Sequence, residues 1–226
     1  MSKNLPIRLN APTHTSSFSD QNLTISPIYI SKLFRRLFDI IFSLLVFIFI
    51  LTWLCPLLAI LIRLESKGPA FFIQERIGFK KMPFKCYKFR SMRLNQEADI
   101  KEASHDDDRI TKMGSFLRRT CLDELPQFFN VLIGDMTIVG PRPQMTSQAK
   151  RYENLTDKFE ERQSVKPGLT GWAQISGSRG KILSDDEMTK RIEADLWYLK
   201  NWSFALDIKI IFLTLSMILK GNHNNS

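Results

Sequence analysis

From Ile40 to Ile62 the chain is apolar and uncharged, with cations at both ends: Lys32, Arg35 and Arg36 before it, Arg63 and Lys67 after it. At ~1.5 Å per residue, such a run is about 34 Å long as a straight helix, enough to cross a bilayer. Cys55-Pro56 sits in its far third. A proline inside a helix removes one hydrogen bond and crowds the preceding turn, so a kink is expected there. A difference in Lys/Arg between the flanks normally sets orientation, and here the flanks match. The expectation is a re-entrant helix-break-helix over residues 32–66 that returns to its starting side; a straight span is the alternative.

The rest of the chain divides around this element. Residues 1–31 are rich in Ser, Thr, Asn and Pro and read as a mobile tail. They are not a secretory signal, because the apolar stretch begins late and has no small-residue cleavage site. Residues 67–203 suffice for one compact cytosolic domain, mostly α with short β segments. Residues 204–220 are apolar but carry Asp207 and Lys209, which predicts an amphipathic helix in the lipid interface or packed on the domain.

The net charge of +9 needs a partner class. No nucleic-acid motif or aromatic-basic platform is present, so nucleic acid is set aside. Lys80, Lys81, Lys85, Lys88, Arg90 and Arg93 cluster just beyond the apolar run, which suits anionic membrane lipid. Cys55, Cys86 and Cys121 have neither metal nor disulfide spacing, which fits a reducing compartment.

Periodicity predicts short strands near 69–74 and 84–89 around a turn at 78–83. A helix over 122–132 would put Leu125, Phe128, Phe129 and Leu132 on one face. Further elements are a polar helix over 144–163, a short strand over 173–175 and a helix over 187–200.

The densest chemical signal is Arg118-Arg119-Thr-Cys121-Leu-Asp123-Glu124-Leu-Pro126. Adjacent carboxylates behind paired arginines suit a phosphate and a divalent cation held together, since Mg²⁺ takes hard oxygens and often bridges to substrate phosphates. A carboxylate can also attack phosphorus. The competing explanation is that Asp123 and Glu124 simply complement a helix dipole. Arg142, fixed between Pro141 and Pro143, presents its guanidinium with little freedom to lose; it is otherwise a solvated loop residue. The Lys166-Pro-Gly-Leu-Thr-Gly171 turn allows close backbone approach to a ligand. Asp106-Asp107-Asp108 contains an acidic-x-acidic pair, but its context favours a solvated loop.

In order, these segments resemble the bacterial sugar transferase family, monotopic polyprenyl-phosphate hexose-1-phosphate transferases. The resemblance rests on Arg35-Arg36-Leu-Phe-Asp39, the proline-bearing apolar run, Gly68-Pro69 and Gln74-Glu-Arg-Ile-Gly78. It continues through Tyr87-Lys88-Phe-Arg90-Ser-Met92, Asp108-Arg-Ile-Thr111, the stretch from Arg118 to Pro126, and Phe129-Asn-Val-Leu-Ile-Gly-Asp-Met136. Val139-Gly-Pro-Arg-Pro143, Val165-Lys-Pro-Gly-Leu-Thr-Gly-Trp-Ala-Gln174 and Asn201-Trp-Ser203 complete it.

The resemblance implies a site facing the cytoplasm at the bacterial inner membrane, with Mg²⁺ as cofactor. Asp123 would attack the β-phosphate of a UDP-sugar, glucose favoured and galactose next, releasing UMP. Undecaprenyl phosphate would then accept the phosphosugar, initiating exopolysaccharide, capsule or O-antigen synthesis. Glu124 would aid Mg²⁺ binding or proton handling, with Asp123 as the other metal-side carboxylate. Arg118, Arg142, Lys166, Lys88 and Arg90 would contact the diphosphate or nucleotide. Arg35 would meet Asp39 one turn later at the membrane entry, and Arg36, Cys55 and Pro56 would complete the hairpin. Cys55 and Cys121 stand where serine is common in the family. A large N-terminal membrane domain of longer relatives is missing, suggesting a minimal form. The competing functions are a glycosyltransferase that releases UDP and a non-enzymatic assembly scaffold.

Overall fold

A computed structural model describes residues 27–94, 107–153, 156, 158–178 and 184–220, with side chains from residue 32 on apart from 150 and 151. Residues 1–26 of the predicted tail, Asp106 and most of the polar stretch before it lie outside these residues, whereas residues 27–31, expected as tail, already belong to the first helix. The described chain is mostly helical with short strands.

Helix α1 (Pro27–Val46) runs through a π-helical turn (Phe47–Leu51) into α2 (Thr52–Glu65). The break expected at Cys55-Pro56 is therefore displaced: α2 passes through Pro56, and the irregular turn lies just before it. Pro56 has no N–H and its ring crowds the carbonyl four residues back, so widening the preceding turn relieves that crowding. Side chains tend the loosened carbonyls, Thr52 Oγ1 donating to Ile48 O at 2.7 Å and Trp53 Nε1 to Phe49 O at 2.8 Å. By length and composition Lys32–Glu65 could cross a membrane. Much of its surface is apolar and exposed, including Ile41, Phe49, Trp53 and Ile60.

Both halves of this helix pack on the same domain. On α1, Asp39 is buried and accepts from Thr137 Oγ1 at 2.7 Å and the Ile138 N–H at 3.0 Å. Arg36 donates to the carbonyls of Val131 and Leu132. On α2, buried Leu58 and Ile62 join Ala70, Phe89 and Leu117 in one apolar cluster. Arg35 does not close on Asp39 as predicted. It donates to Val139 O and Tyr198 Oη, and pairs with Asp207 at 3.4 Å. Helical spacing permits the Arg35–Asp39 contact, but each side chain finds a buried polar partner in the domain instead.

The domain opens on a hairpin of β1 (Phe71–Ile77) and β2 (Pro83–Phe89), paired from Phe71 opposite Phe89 to Ile77 opposite Pro83. The predicted strands are found, with a 3₁₀ turn (Phe79–Lys81) between them. Thr111 caps α3 (Lys112–Arg119), accepting from the Gly114 N–H. A 3₁₀ turn (Leu122–Glu124) precedes α4 (Gln127–Ile133), so the helix expected over 122–132 is split at Pro126, which supplies no N–H to continue it. Phe129 is correspondingly exposed rather than inward. Gly134 ends α4 with φ 95°, a left-handed conformation that costs glycine little.

β3 (Thr137–Val139) leads to β4 (Gln144–Met145), which adds to the open edge of β1. The polar helix expected over 144–163 is thus a strand followed by α5 (Thr146–Glu153) and α6 (Lys158–Arg162). β5 (Gly168–Thr170) pairs in parallel with β3. The predicted strand at 173–175 is instead the helical turn α7 (Trp172–Ile175), because the extended segment ends at Thr170. α8 (Asp185–Lys200) buries Ile192 and Leu196 as expected, and α9 (Phe204–Leu219) follows. α9 packs Leu206, Ile210 and Ile211 on the main core while leaving Phe212, Leu215 and Leu219 exposed.

Asp207, at 3% exposure, ties this end of the molecule together: Arg35, Tyr198 and Trp202 all direct polar hydrogens at it. Removing one member of a buried pair strands the other charge. Asp207→Ala is therefore expected to destabilise the protein by about 3–5 kcal/mol, read by denaturant unfolding in detergent. An unchanged midpoint would show that the pair contributes nothing.

Candidate active site

The two carboxylates reach their positions because three backbone features bring α3, β2 and a proline loop together. Gly114 is the first: a Cβ there would stand 1.8 Å from Ser91 O, so only glycine lets α3 lie against the end of the hairpin. One turn later Arg118 Nε donates to Ser91 Oγ at 2.8 Å, which fixes its guanidinium beside the 3₁₀ turn. Cys121 is the second, at φ 57° in the left-handed region that side-chain-bearing residues rarely occupy. The reversal there turns Leu122–Glu124 back towards β2.

Pro141-Arg142-Pro143 is the third, and its successive carbonyls are all held. Pro141 O accepts from the Gly168 N–H at 2.9 Å, Arg142 O from Arg162 at 2.7 Å, and Pro143 O from Arg76 at 2.7 Å. Arg162 is in turn paired with buried Asp195 at 2.8 Å, and Arg76 leans on Gln74. The loop is a clamped platform, so the solvated-loop alternative for Arg142 fails.

From this platform Arg142 forks onto Glu124, at 2.7 Å to Oε1 and 3.3 Å to Oε2. Lys88, on the same face of β2 as buried Cys86, adds a contact of 2.9 Å to Oε1. Burial pushes the Glu124 carboxyl up, but Arg142 and Lys88 outweigh it and hold it well below the usual carboxylate range. Asp123 behaves in the opposite way. Burial first, then the neighbouring Glu124 charge, raise it to about 6, against the pull of Lys88, Arg118 and Arg142. Among the described residues no hydrogen bond reaches its carboxylate. Burial also works against the Arg118 charge, and Asp123 is its largest compensation. A dipole-capping pair would not need this surrounding set of cations.

The predicted residues therefore fall into groups. Asp123, Glu124, Arg118, Arg142 and Lys88 converge. Arg90 is buried and donates to Ser66 O and Lys67 O, holding the end of α2. Lys166 stands at the far end of α4: its Nζ and Arg36 Nη2 lie 3.4 and 3.5 Å from where a Cβ on Gly134 would be. Burial lowers its proton affinity, and Arg36 adds to that. Asp107 pairs with Arg109 in its own turn. That Arg76, Arg162 and Asp195 clamp this loop is not legible in the sequence, because each contact joins segments far apart in the chain.

Among the described residues no three His, Cys, Asp or Glu side chains converge as a metal cage. Two adjacent carboxylates, one of them unbonded, instead match the way Mg²⁺ sits on one or two carboxylates while bridging to substrate phosphates.

The profile of the bacterial sugar transferase family matches residues 30–221. A protein of Escherichia coli named UDP-glucose:undecaprenyl-phosphate glucose-1-phosphate transferase is 46% identical over 87% of this chain. One of Klebsiella pneumoniae with the same name is 48% identical over 87%. The chain spans about two fifths (42%) of the length of each of these. Rhizobium leguminosarum has an exopolysaccharide production protein that is 41% identical over 80% of this chain, and there the match takes in 92% of the relative. With the family's profile covering the apolar N-terminal helix, the carboxylate pair and the clamped proline loop together, the chain belongs to the bacterial sugar transferase family.

Proposed function

We propose that this protein transfers hexose-1-phosphate from a UDP-sugar to undecaprenyl phosphate, in two displacements at phosphorus. An Asp123 carboxylate oxygen attacks the β-phosphorus, the bond from that phosphorus to the bridging oxygen breaks, and UMP leaves. A phosphate oxygen of undecaprenyl phosphate then attacks the same phosphorus. Asp123 is released, and the sugar is left on the lipid through a diphosphate.

The observation that carries this reading is the division of labour between the carboxylates. Glu124 keeps its charge between Lys88 and Arg142, whereas Asp123 is left unbonded with a raised proton affinity. An unbonded carboxylate is available as a nucleophile, and nearby cations can spread the charge of a transferring phosphoryl group. Mg²⁺, held by Asp123 or Glu124 and the diphosphate, would supply further neutralisation. Glucose is favoured because several relatives carry it in their names, although one from Aeromonas hydrophila, 42% identical, is named for N-acetylgalactosamine. Galactose is the next choice.

The same reading places the protein in the bacterial inner membrane with its site facing the cytoplasm, the apolar helix re-entering rather than crossing. Its support is that α1 and α2, on either side of the π turn, bury residues in one and the same domain. The exposed apolar residues of α4 and α9 extend the lipid-facing surface. Tags at both ends of the chain are expected to react only from the cytoplasmic side; an externally labelled N-terminus would exclude re-entry.

Two further outcomes test the chemistry. With Mg²⁺, undecaprenyl phosphate and a panel of UDP-sugars, UMP is the expected product, where UDP would mark sugar transfer alone. Donor alone should leave labelled phosphosugar on the protein. Asp123→Asn should abolish that label and cut turnover by roughly 10³-fold or more while membrane attachment survives. An unlabelled wild type, or an active variant, removes Asp123 from the mechanism. In the metal-free protein, the Asp123 carboxyl is expected to lose its proton as pH rises through about 6, and Glu124 to be ionised throughout. Infrared titration of the wild type against Asp123→Asn reads this; a carboxylate already ionised at pH 5 contradicts it.

A further inference from the structure

The end of α2 reaches both sides of the carboxylate site. On one side, buried Arg90 donates to Ser66 O at 2.7 Å and to Lys67 O at 2.6 Å. Arg90 directly follows β2, whose Lys88 bonds Glu124. On the other side, Glu65, the last residue of α2, turns its carboxylate to the start of α3. Its Oε1 accepts from the Lys112 N–H at 2.8 Å and its Oε2 from the Met113 N–H at 2.9 Å. The first N–H groups of a helix have no partner within it. Thr111 takes the Gly114 N–H, and Glu65 takes the two before it. One oxygen on each of two neighbouring N–H groups fixes the direction of α3 as well as its end, because a tilt lengthens one bond or the other. A carboxylate also suits the positive end of a helix.

What α3 carries makes its direction matter. Its last turn holds Arg118, and the Cys121 N–H donates to Arg118 O at 3.2 Å where the chain reverses into the turn of Asp123 and Glu124. Leu122 and Leu125, on either side of the carboxylate pair, pack against the cluster to which α2 gives Leu58 and Ile62 and α3 gives Leu117. The turn therefore rests on α2 through apolar contacts and continues from α3, whose start is bonded to α2 by Glu65. Between that start and Arg118 lies one short helix of 8 residues, about 12 Å long.

We infer that Glu65 is a positioning residue for the reaction: by holding the start of α3 it sets where Asp123 stands relative to Arg118 and to the cations on Glu124. This role rests on the proposed part of Asp123 as nucleophile. It adds a residue outside the site that governs how fast phosphorus is attacked, and it makes the seat of the apolar helix a determinant of that rate. A misplacement of the reacting group by about 1 Å is enough to cost roughly 10²-fold in rate.

The test compares wild type, Glu65→Ala and Glu65→Gln, each as the full chain in lipid nanodiscs, by two measurements. The first is the time course of protein labelling by UDP-glucose carrying a radioactive sugar, with Mg²⁺ and no acceptor. In Glu65→Ala the rate constant at saturating donor should fall roughly 10- to 100-fold, with the final label per protein and the half-saturating donor concentration both held. Glu65→Gln keeps one accepting oxygen and should lie between, and it decides where the alanine variant does not fold. A cap that only stabilises would do the reverse, lowering the amount of label through loss of folded protein and leaving the rate constant alone. The second measurement, backbone amide exchange read by mass spectrometry, needs no reaction. Exchange should quicken through residues 120–124 as well as 112–115. An unchanged rate constant, or quickening confined to 112–115, overturns the inference. Quickening that spreads to 120–124 in a protein whose wild type takes no label would instead overturn the proposed nucleophile and keep Glu65 as the residue that positions the turn.

Discussion

Two consecutive carboxylates in a half-enclosed site cannot both hold a full negative charge at neutral pH unless cations are brought to them, and this constraint shapes the centre of the molecule. The mutual repulsion of close carboxylates raises the proton affinity of at least one. Here the cations are distributed unequally. Arg142 and Lys88 both bond Glu124, while Arg118 faces Asp123 without bonding it and spends its Nε on Ser91. Glu124 therefore acts as the fixed charge that holds two cations in place, and Asp123 as the group left with an open valence. The asymmetry is a property of the surrounding fold, since neighbours in the chain start with nearly the same intrinsic acidity.

That fold is organised to keep the cations still. Arg142 can fork onto Glu124 because its main chain is immobilised on both sides by proline and by the three donors that take the loop's carbonyls. Arg162 and Asp195 bury a charge pair at 3% and 2% side-chain exposure for this purpose, an arrangement whose desolvation cost is met only with near-ideal geometry. Such a pair adds little net stability compared with an apolar substitute, so its value lies in the orientation it imposes on Arg142. Arg76 does similar work from the hairpin, which makes the β1–β2–β4 sheet a support for the loop as well as a layer of the core.

How much of this was legible in the sequence depends on whether a feature is local. The hairpin, the apolar helix and α8 follow from alternation and periodicity, and they lie close to the expected positions. The convergence of Arg118, Asp123, Glu124, Arg142 and Lys88 was anticipated through the ordered motifs. Lys166 and Arg90 share that basic chemistry, yet packing sends the first beside Arg36 and gives the second to the end of α2. Periodicity also failed where one proline or one pairing decides the outcome. Pro126 splits the helix over 122–132, and Gln144 and Met145 join a strand because β1 has an open edge, not because their residues prefer it. Cys121 could not be foreseen in a left-handed turn, since its side chain gives no local reason for one.

The same dependence on non-local partners explains the junction between helix and domain. Arg35, Arg36 and Asp39 look in the sequence like a charged collar for lipid head groups. In the fold, Arg36 takes the carbonyls at the end of α4, Asp39 takes the start of β3, and Arg35 takes Val139, Tyr198 and Asp207. Polar groups that would otherwise have to be satisfied beside an apolar helix are thus satisfied by the domain itself. α4 bears the consequence directly: its last carbonyls are held by the helix-entry arginine, and its first turn follows the carboxylate pair. With α2 meanwhile anchored by Leu58, Ile62 and the bonds from Glu65 to the start of α3, the site is braced against the helix on both sides. A shift of the helix relative to the domain would have to move α3 and α4 together, and with them the turn that carries Asp123.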